Sequence, residues 1–358
     1  MPSLTSRSPG PAADGAGAPA PTPARPGRDP YFDNAKYLAI VLVAMGHAWE
    51  PLPGSGRLVE AVYTFVYTFH MPVFILIAGY FSRGFELRQD RVWKLVTSLV
   101  VPYVVFEIAY TLFERLTGAP GFPLSPLTPY WLLWFLPALF LWRLTTPFWQ
   151  TVRWPVAVSL AVAAVGAVTS NIGGDLQLQR ILQFLPFYVL GLRLRPEHFA
   201  FVRRRAVRIA SVPVCLVALA AAYWAVPRTT TSWFFRRYGA EQLGSPAWTG
   251  APVTLLLFVC ALVLSACFLA WVPGRKLWMT ALGAGTLYGY LLHGFVIKGA
   301  VKLDLFEADV LSTPPGRILV SVAAAVMVTA LCSPPVRRVF RYVVEPRLDW
   351  ARRPGTVS

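Results

Sequence analysis

The sequence predicts an all-α, polytopic membrane protein of about ten transmembrane helices with both termini in the cytoplasm. Three observations predict this. Of the 358 residues, 56% are hydrophobic and only 14% are charged, whereas soluble domains carry about 25% charged residues. The apolar residues gather in runs of about 17–25, the length that crosses the hydrocarbon layer as a helix. Lys and Arg collect in alternate connecting segments, which is the asymmetry that orients spans. The net charge of +16 therefore reads as cytoplasmic loops facing anionic lipid, and a nucleic-acid partner is not expected.

Residues 1–30 are rich in Pro, Gly and Ala and hold no apolar cluster, so they read as a disordered tail. They also lack the apolar core of a secretory signal. The apolar runs then fall at 36–54, 58–82, 94–115, 130–147, 154–171, 178–194, 207–226, 252–272, 278–300 and 316–335. Taking the N-terminus as inside, the inner segments collect clusters such as Arg83, Arg88, Arg91 and Lys94, then Arg203, Arg204, Arg205 and Arg208. The outer segments hold far fewer. Residues 31–345 thus form one membrane domain, and 346–358 a basic C-terminal tail. The segment 227–251 is an outer loop rich in aromatics and arginines, suited either to closing over a ligand or to marking the membrane interface. Cys215, Cys260, Cys267 and Cys332 lie in apolar runs with no CxxC pair, so free thiols are expected and a metal site is not.

Polar groups inside apolar spans cost roughly 2.5 kcal/mol or more at the helix centre, so each requires a reason. The first run, AKYLAIVLVAMGHAW, separates Lys36 from His47 by ten residues. At 1.5 Å per residue that is about 16 Å along a helix, which sets Lys36 at the inner mouth and His47 near mid-membrane. Histidine is the side chain best suited to proton transfer near neutral pH. His70, two residues before Pro72, and Glu107 fall at similar depths on the next two runs, so a buried chamber holding His47, His70 and Glu107 is expected. His293 reads as a structural histidine bonded to a neighbouring helix, and His198 as a solvated loop residue. Arg88, Arg91 and Lys94, spaced by three, can line one helix face as ordinary inside charges or cradle a polyphosphate.

These segments resemble the integral-membrane acyltransferase type 3 family, in particular its fucose 4-O-acetylase-like branch. The likeness runs in order through FDNAKYLAIVLVAMGH, FHMPVFILIAGYFSRG, RVWKLVTSLVVPY, YWLLWFLPALF, ILQFLPFYVLGLRL and LGAGTLYGYLLHGF, covering most of residues 31–335. Asp33 and Lys36 match the family's acidic and basic positions. Two departures are Ala78, where a Ser is common, and Lys36, where Arg is more frequent. The resemblance implies transfer of an acyl group, most often acetyl, from acyl-coenzyme A to a hydroxyl of a sugar or glycosylated acceptor, in a bacterial plasma membrane. It implies no permanently bound cofactor and an essential role for His47, as general base or as acyl-carrying nucleophile. Lys36, Arg88, Arg91 and Lys94 would then hold the coenzyme A phosphates, and His70 or Glu107 would orient the imidazole. A different class, a transporter or flippase using His47 and Glu107 as a proton relay, fits the same buried ionisable residues.

Overall fold

Helix is the only regular element among the described residues, which in this computed structural model are 29–52, 56–170, 172–346 and 348–351. Apart from Asp29 and Pro30, the tail expected over 1–30 lies outside them, as does most of the one expected over 346–358.

Helix α1 (Pro30–Trp49) opens where local chemistry starts a helix, six residues ahead of the apolar run. The Asp29 carboxylate accepts the Tyr31 N–H at 2.9 Å, and Pro30 takes the first helical position, where no N–H is needed. Tyr31 and Phe32 are buried in an aromatic cluster with Tyr80 and Phe199, which holds this first turn in place. The helix start and end set the positions of Lys36 and His47 along α1. Lys36 lies nearly two turns inside the helix, and His47 lies in its last turn, about 25 Å from the start at 1.5 Å per residue.

The chain continues through α2 (Arg57–Ser82), α3 (Gln89–Leu116), α4 (Trp131–Leu144), α5 (Pro155–Val168), α6 (Leu178–Arg193) and α7 (Arg205–Ala225). It ends with α8 (Gly250–Trp271), α9 (Thr286–Lys302), α10 (Pro314–Leu331) and α11 (Pro334–Val344). Each expected span falls on one of α1 to α10. Five of these, α2, α3, α7, α8 and α10, are long and apolar enough to cross a membrane. The last helix, α11, is an addition that the hydropathy pattern hides, because Arg337, Arg338 and Arg341 interrupt its apolar residues. Inside α3, a π-helical turn over Val96–Val100 precedes Pro102. The wider turn accommodates a ring that would otherwise strike the carbonyl four residues back.

Helix α1 runs through the middle of the bundle, against α2, α9, α10 and the 3₁₀ segment Trp278–Gly285. The most extensive helix pair is α2 with α6. There the backbones meet at two glycines: a Cβ on Gly79 would collide with the Tyr188 carbonyl, and one on Gly191 with that of Leu76. Small residues allow such approach in apolar bundles, where dispersion and packing replace the hydrophobic drive. Helix α7 lies at the periphery, with Ser211 its one buried residue, so most of its surface suits lipid. The four cysteines are free, and no group of metal-ligating side chains occurs among the described residues.

Candidate active site

Two cavities open at opposite ends of α1. The larger, about 670 Å³, surrounds His47 and is walled by α2, by Trp131 and Trp134 at the start of α4, by Arg180 of α6, and by the loop Thr231–Tyr238. The smaller, about 320 Å³, has Lys36 of α1 and Arg143 of α4 in its wall, with an apolar lining that includes Ile40, Phe74, Ile77, Leu136 and Leu139. Both cavities have Val43, Met71 and Tyr290 in their walls, so these side chains lie between them, one helical turn before His47.

The helix that carries His47 also carries its partner. Glu50, the residue that ends α1, lies three positions on and therefore on the same face. Its carboxylate accepts from His47 Nδ1 at 3.1 Å. Tyr63 and Tyr67, one turn apart on α2 and stacked at 4.1 Å, both donate their hydroxyls to the same Oε1 of Glu50. The carboxylate is thus fixed from three sides. With Nδ1 committed, the nitrogen left for chemistry is Nε2. Above the imidazole lies Trp131, its ring edge-on at 4.5 Å.

Trp131 is held in an unusual way. Its φ of +34° lies in the left-handed region, which costs a non-glycine residue stability unless neighbours enforce it. They do so here: the Glu107 carboxylate accepts the Tyr130 N–H at 2.9 Å, the Tyr130 hydroxyl donates to Glu114 at 2.5 Å, and Glu114 pairs with Lys302 at 2.9 Å. Lys298 lies over the Trp131 ring at 4.6 Å. The buried Glu107 therefore braces the turn that carries Trp131, and it is absent from the wall of the His47 cavity. The chamber expected from His47, His70 and Glu107 is corrected accordingly, and a direct relay between His47 and Glu107 has no contact to run through. Matching depth fixes height along a helix but not the direction a side chain faces.

His70 does line the His47 cavity, with its Nδ1–H donated to the Val66 carbonyl of its own helix at 3.0 Å. His293 also differs from expectation. Its Nδ1–H donates to Gly289 in its own helix at 2.9 Å, and its ring lies 5.5 Å from that of His47. Its buried Nε2 has no hydrogen-bond partner among the described residues. Three histidines therefore converge, with Glu50 as the carboxylate that touches His47.

At the other cavity Lys36 Nζ pairs with Asp33 at 2.8 Å, and Arg143 Nε donates to Ser82 Oγ at 3.2 Å. Arg88, Arg91 and Lys94 are exposed on the segment that follows α2 and are absent from the cavity wall; Arg88 pairs with Asp90 at 3.3 Å. Arg143 replaces them as the second cation in the cavity wall. Sequence reading missed it because 107 residues separate it from Lys36.

The loop Thr231–Tyr238 is tied down by its own residues. Arg236 is 4% exposed, has a φ of +51°, and directs its guanidinium to the Gln183 carbonyl at 3.3 Å and over Phe184 and Phe187. Burial pushes that guanidinium down to about 10. Gln183 in turn donates to the Tyr238 carbonyl, and Arg180 to that of Phe235.

The model of the family described as "Acyltransferase domain", of type 3, matches residues 29–334. Among curated proteins, the nodulation protein NolL of Mesorhizobium japonicum is 31% identical over 185 residues, covering 46% of this chain and 47% of NolL. NolL of Sinorhizobium fredii is 28% identical over 181 residues, 46% of this chain and 48% of that protein. The chain thus spans about half the length of the curated relatives it matches. No solved structure matches it significantly. On the span of the family match, which takes in α1 through α10 together with both cavities, the chain belongs to the acyltransferase type 3 family.

Proposed function

We propose that the protein is a membrane O-acyltransferase that moves an acyl group, acetyl by resemblance, from acyl-coenzyme A to a hydroxyl of a sugar or glycosylated acceptor. The observation that carries this reading is that two cavities approach shared wall residues one turn from His47, which lines the larger. One has two cations, Lys36 and Arg143, in an otherwise mostly apolar wall, which suits phosphates followed by a pantetheine arm. The other offers aromatic and polar walls, which suit a saccharide. In the reaction His47 Nε2 takes the proton of the acceptor hydroxyl, and the oxygen attacks the thioester carbonyl. The C–S bond then breaks, and the coenzyme A thiolate leaves with the proton from the imidazolium. Glu50 holds the ring and stabilises its positive charge. His70 lines the acceptor side of the same cavity. The test is release of free coenzyme A from acetyl-coenzyme A by the protein in nanodiscs. Turnover that depends on His47 supports the reading, and its absence overturns it.

We further propose ten spans with both termini cytoplasmic in a bacterial plasma membrane. The Lys/Arg asymmetry supports this, and it puts the Lys36 cavity on the donor's side. Reporter fusions at residues 88, 204 and 345 are expected to read cytoplasmic and a fusion at 240 external. A cytoplasmic result at 240 would overturn the span order from α7 onward.

The donor mouth makes a kinetic prediction. Lys36→Gln removes a charge-assisted contact to phosphate, so the donor KM rises about tenfold to a hundredfold at a nearly constant acceptor KM. Lys36→Arg keeps the charge and retains most of the affinity. Single replacements of Arg88, Arg91 or Lys94 are expected to act weakly and in a salt-dependent way, because exposed charges contribute through screened attraction. Steady-state kinetics with varied donor at saturating acceptor check this, and an unchanged donor KM in Lys36→Gln would remove Lys36 from the donor site.

A further inference from the structure

The wall of the His47 cavity carries a charge pattern that acyl transfer to a neutral hydroxyl does not require. Arg180 of α6 spends Nε on the Phe235 carbonyl at 3.0 Å and lies over the Trp134 ring at 5.0 Å. It has no ion pair among the described residues, although it lies in a cavity wall rather than in bulk water. A second cation, Arg237, lines the same cavity. Glu50, in the same wall, is already committed to His47, Tyr63 and Tyr67. Glu60 is the other carboxylate in the wall.

Arg180 and Arg237 line the same cavity, and Arg180 bonds the carbonyl two residues before Arg237; like charges in one wall repel, so something else must hold them there. Here the fixing is visible. Arg236 turns through the left-handed region and buries its side chain, and the next residue, Arg237, then lines the cavity. The loop is bound to α6 by the hydrogen bonds from Arg180 and Gln183, so the backbone that carries Arg237 is held beside the helix that carries Arg180. Two guanidiniums in one cavity wall favour an anion, because a carboxylate or phosphate between them would turn repulsion into charge-assisted contacts. Trp131, Trp134 and Phe235 supply the aromatic surface against which a sugar ring packs.

We propose that the acceptor is acidic: a saccharide that bears a carboxylate or a phosphate, seated at Arg180 and Arg237 while one of its hydroxyls meets His47. This rests on the acyltransferase reading of the same cavity and adds the charge of the substrate. The order of the walls makes Arg180 and Arg237 specificity-determining, with His47 and Glu50 left to chemistry.

The test compares three probes on the full chain in nanodiscs by calorimetric titration: methyl glucuronide, glucose 1-phosphate and neutral methyl glucoside. At least one acidic probe is expected to bind about tenfold or more tighter than the glucoside, with a preference that falls as salt rises. A carboxylate on the ring favours the glucuronide, and a phosphate at the reducing end favours glucose 1-phosphate. Arg180→Gln and Arg237→Gln are each expected to remove most of that preference while glucoside binding changes little. Arg237 is exposed, so its replacement tests the idea even where loss of Arg180 disturbs folding. Equal binding of all three probes, binding of none, or a preference that survives both replacements overturns the proposal. Release of free coenzyme A by the wild-type protein is read separately, so a failed charge preference with intact release sinks the acidic acceptor alone.

Discussion

Replacing His47 by alanine is expected to lower acyl transfer by about 100- to 10,000-fold, the range that a positioned general base contributes. The chain should still insert and accumulate. The ring is packed between Trp131 and His293, but it lies in a cavity wall and its side chain keeps 14% exposure, so truncation leaves space that water can fill. What is lost is the one imidazole that combines an orienting carboxylate with a free Nε2 one turn from the wall residues that the two cavities share. His70 and His293 are poor substitutes. Each spends Nδ1 on a carbonyl of its own helix, and neither bonds a carboxylate among the described residues. Acceptor-dependent coenzyme A release, measured on a monodisperse sample of the variant, decides the matter. Wild-type turnover from His47→Ala would remove His47 from the chemistry and with it the proposed mechanism.

The helices themselves were readable because lipid removes the usual ambiguity: a chain there must satisfy its backbone internally, so a long apolar run is a helix. The ends were less readable. Hydropathy marks where apolar side chains begin, whereas α1 begins where Asp29 and Pro30 satisfy the first turn. That shift of six residues moved His47 from the middle of the expected span to the end of the actual helix, and so into reach of a polar cavity. The histidine and lysine could be found from their cost in an apolar run. Glu50 could not, because a carboxylate at a span end is ordinary, and only helical continuity through Trp49 puts it on the face of His47. Spacing of three from a histidine in an apolar run was the available signal. Tyr63 and Tyr67 carried a similar one, being a turn apart on the next helix. Glu107, Trp131 and Lys302 form one brace across three segments, and no local pattern announces contacts between residues so far apart in sequence.

Glu50→Gln is expected to lower kcat on the order of 100-fold with small changes in either KM, because Glu50 acts through His47 and touches no substrate. The substitution is nearly isosteric, and its amide oxygen can still accept the hydroxyls of Tyr63 and Tyr67, so the cavity keeps its shape. Two electrostatic functions are lost. The carboxylate accepts only, which forces the proton onto Nδ1 and leaves Nε2 bare to receive the acceptor's proton; an amide can also donate, and then the proton sits on the wrong nitrogen. The carboxylate's charge also favours the imidazolium that forms as the hydroxyl is deprotonated, and a neutral amide offers far less. Glu50 keeps 31% side-chain exposure, so solvent screens part of this effect, which is why the expected loss is below that of His47→Ala. Glu50→Asp retains charge but shortens the reach, and it should recover part of kcat, which a merely structural role would not predict. The two substitutions at Glu50 and His47 should also be strongly non-additive, since an orienting group has nothing to orient once the ring is gone. An unchanged kcat in Glu50→Gln, or losses that add in the double variant, would show that His47 works without its carboxylate.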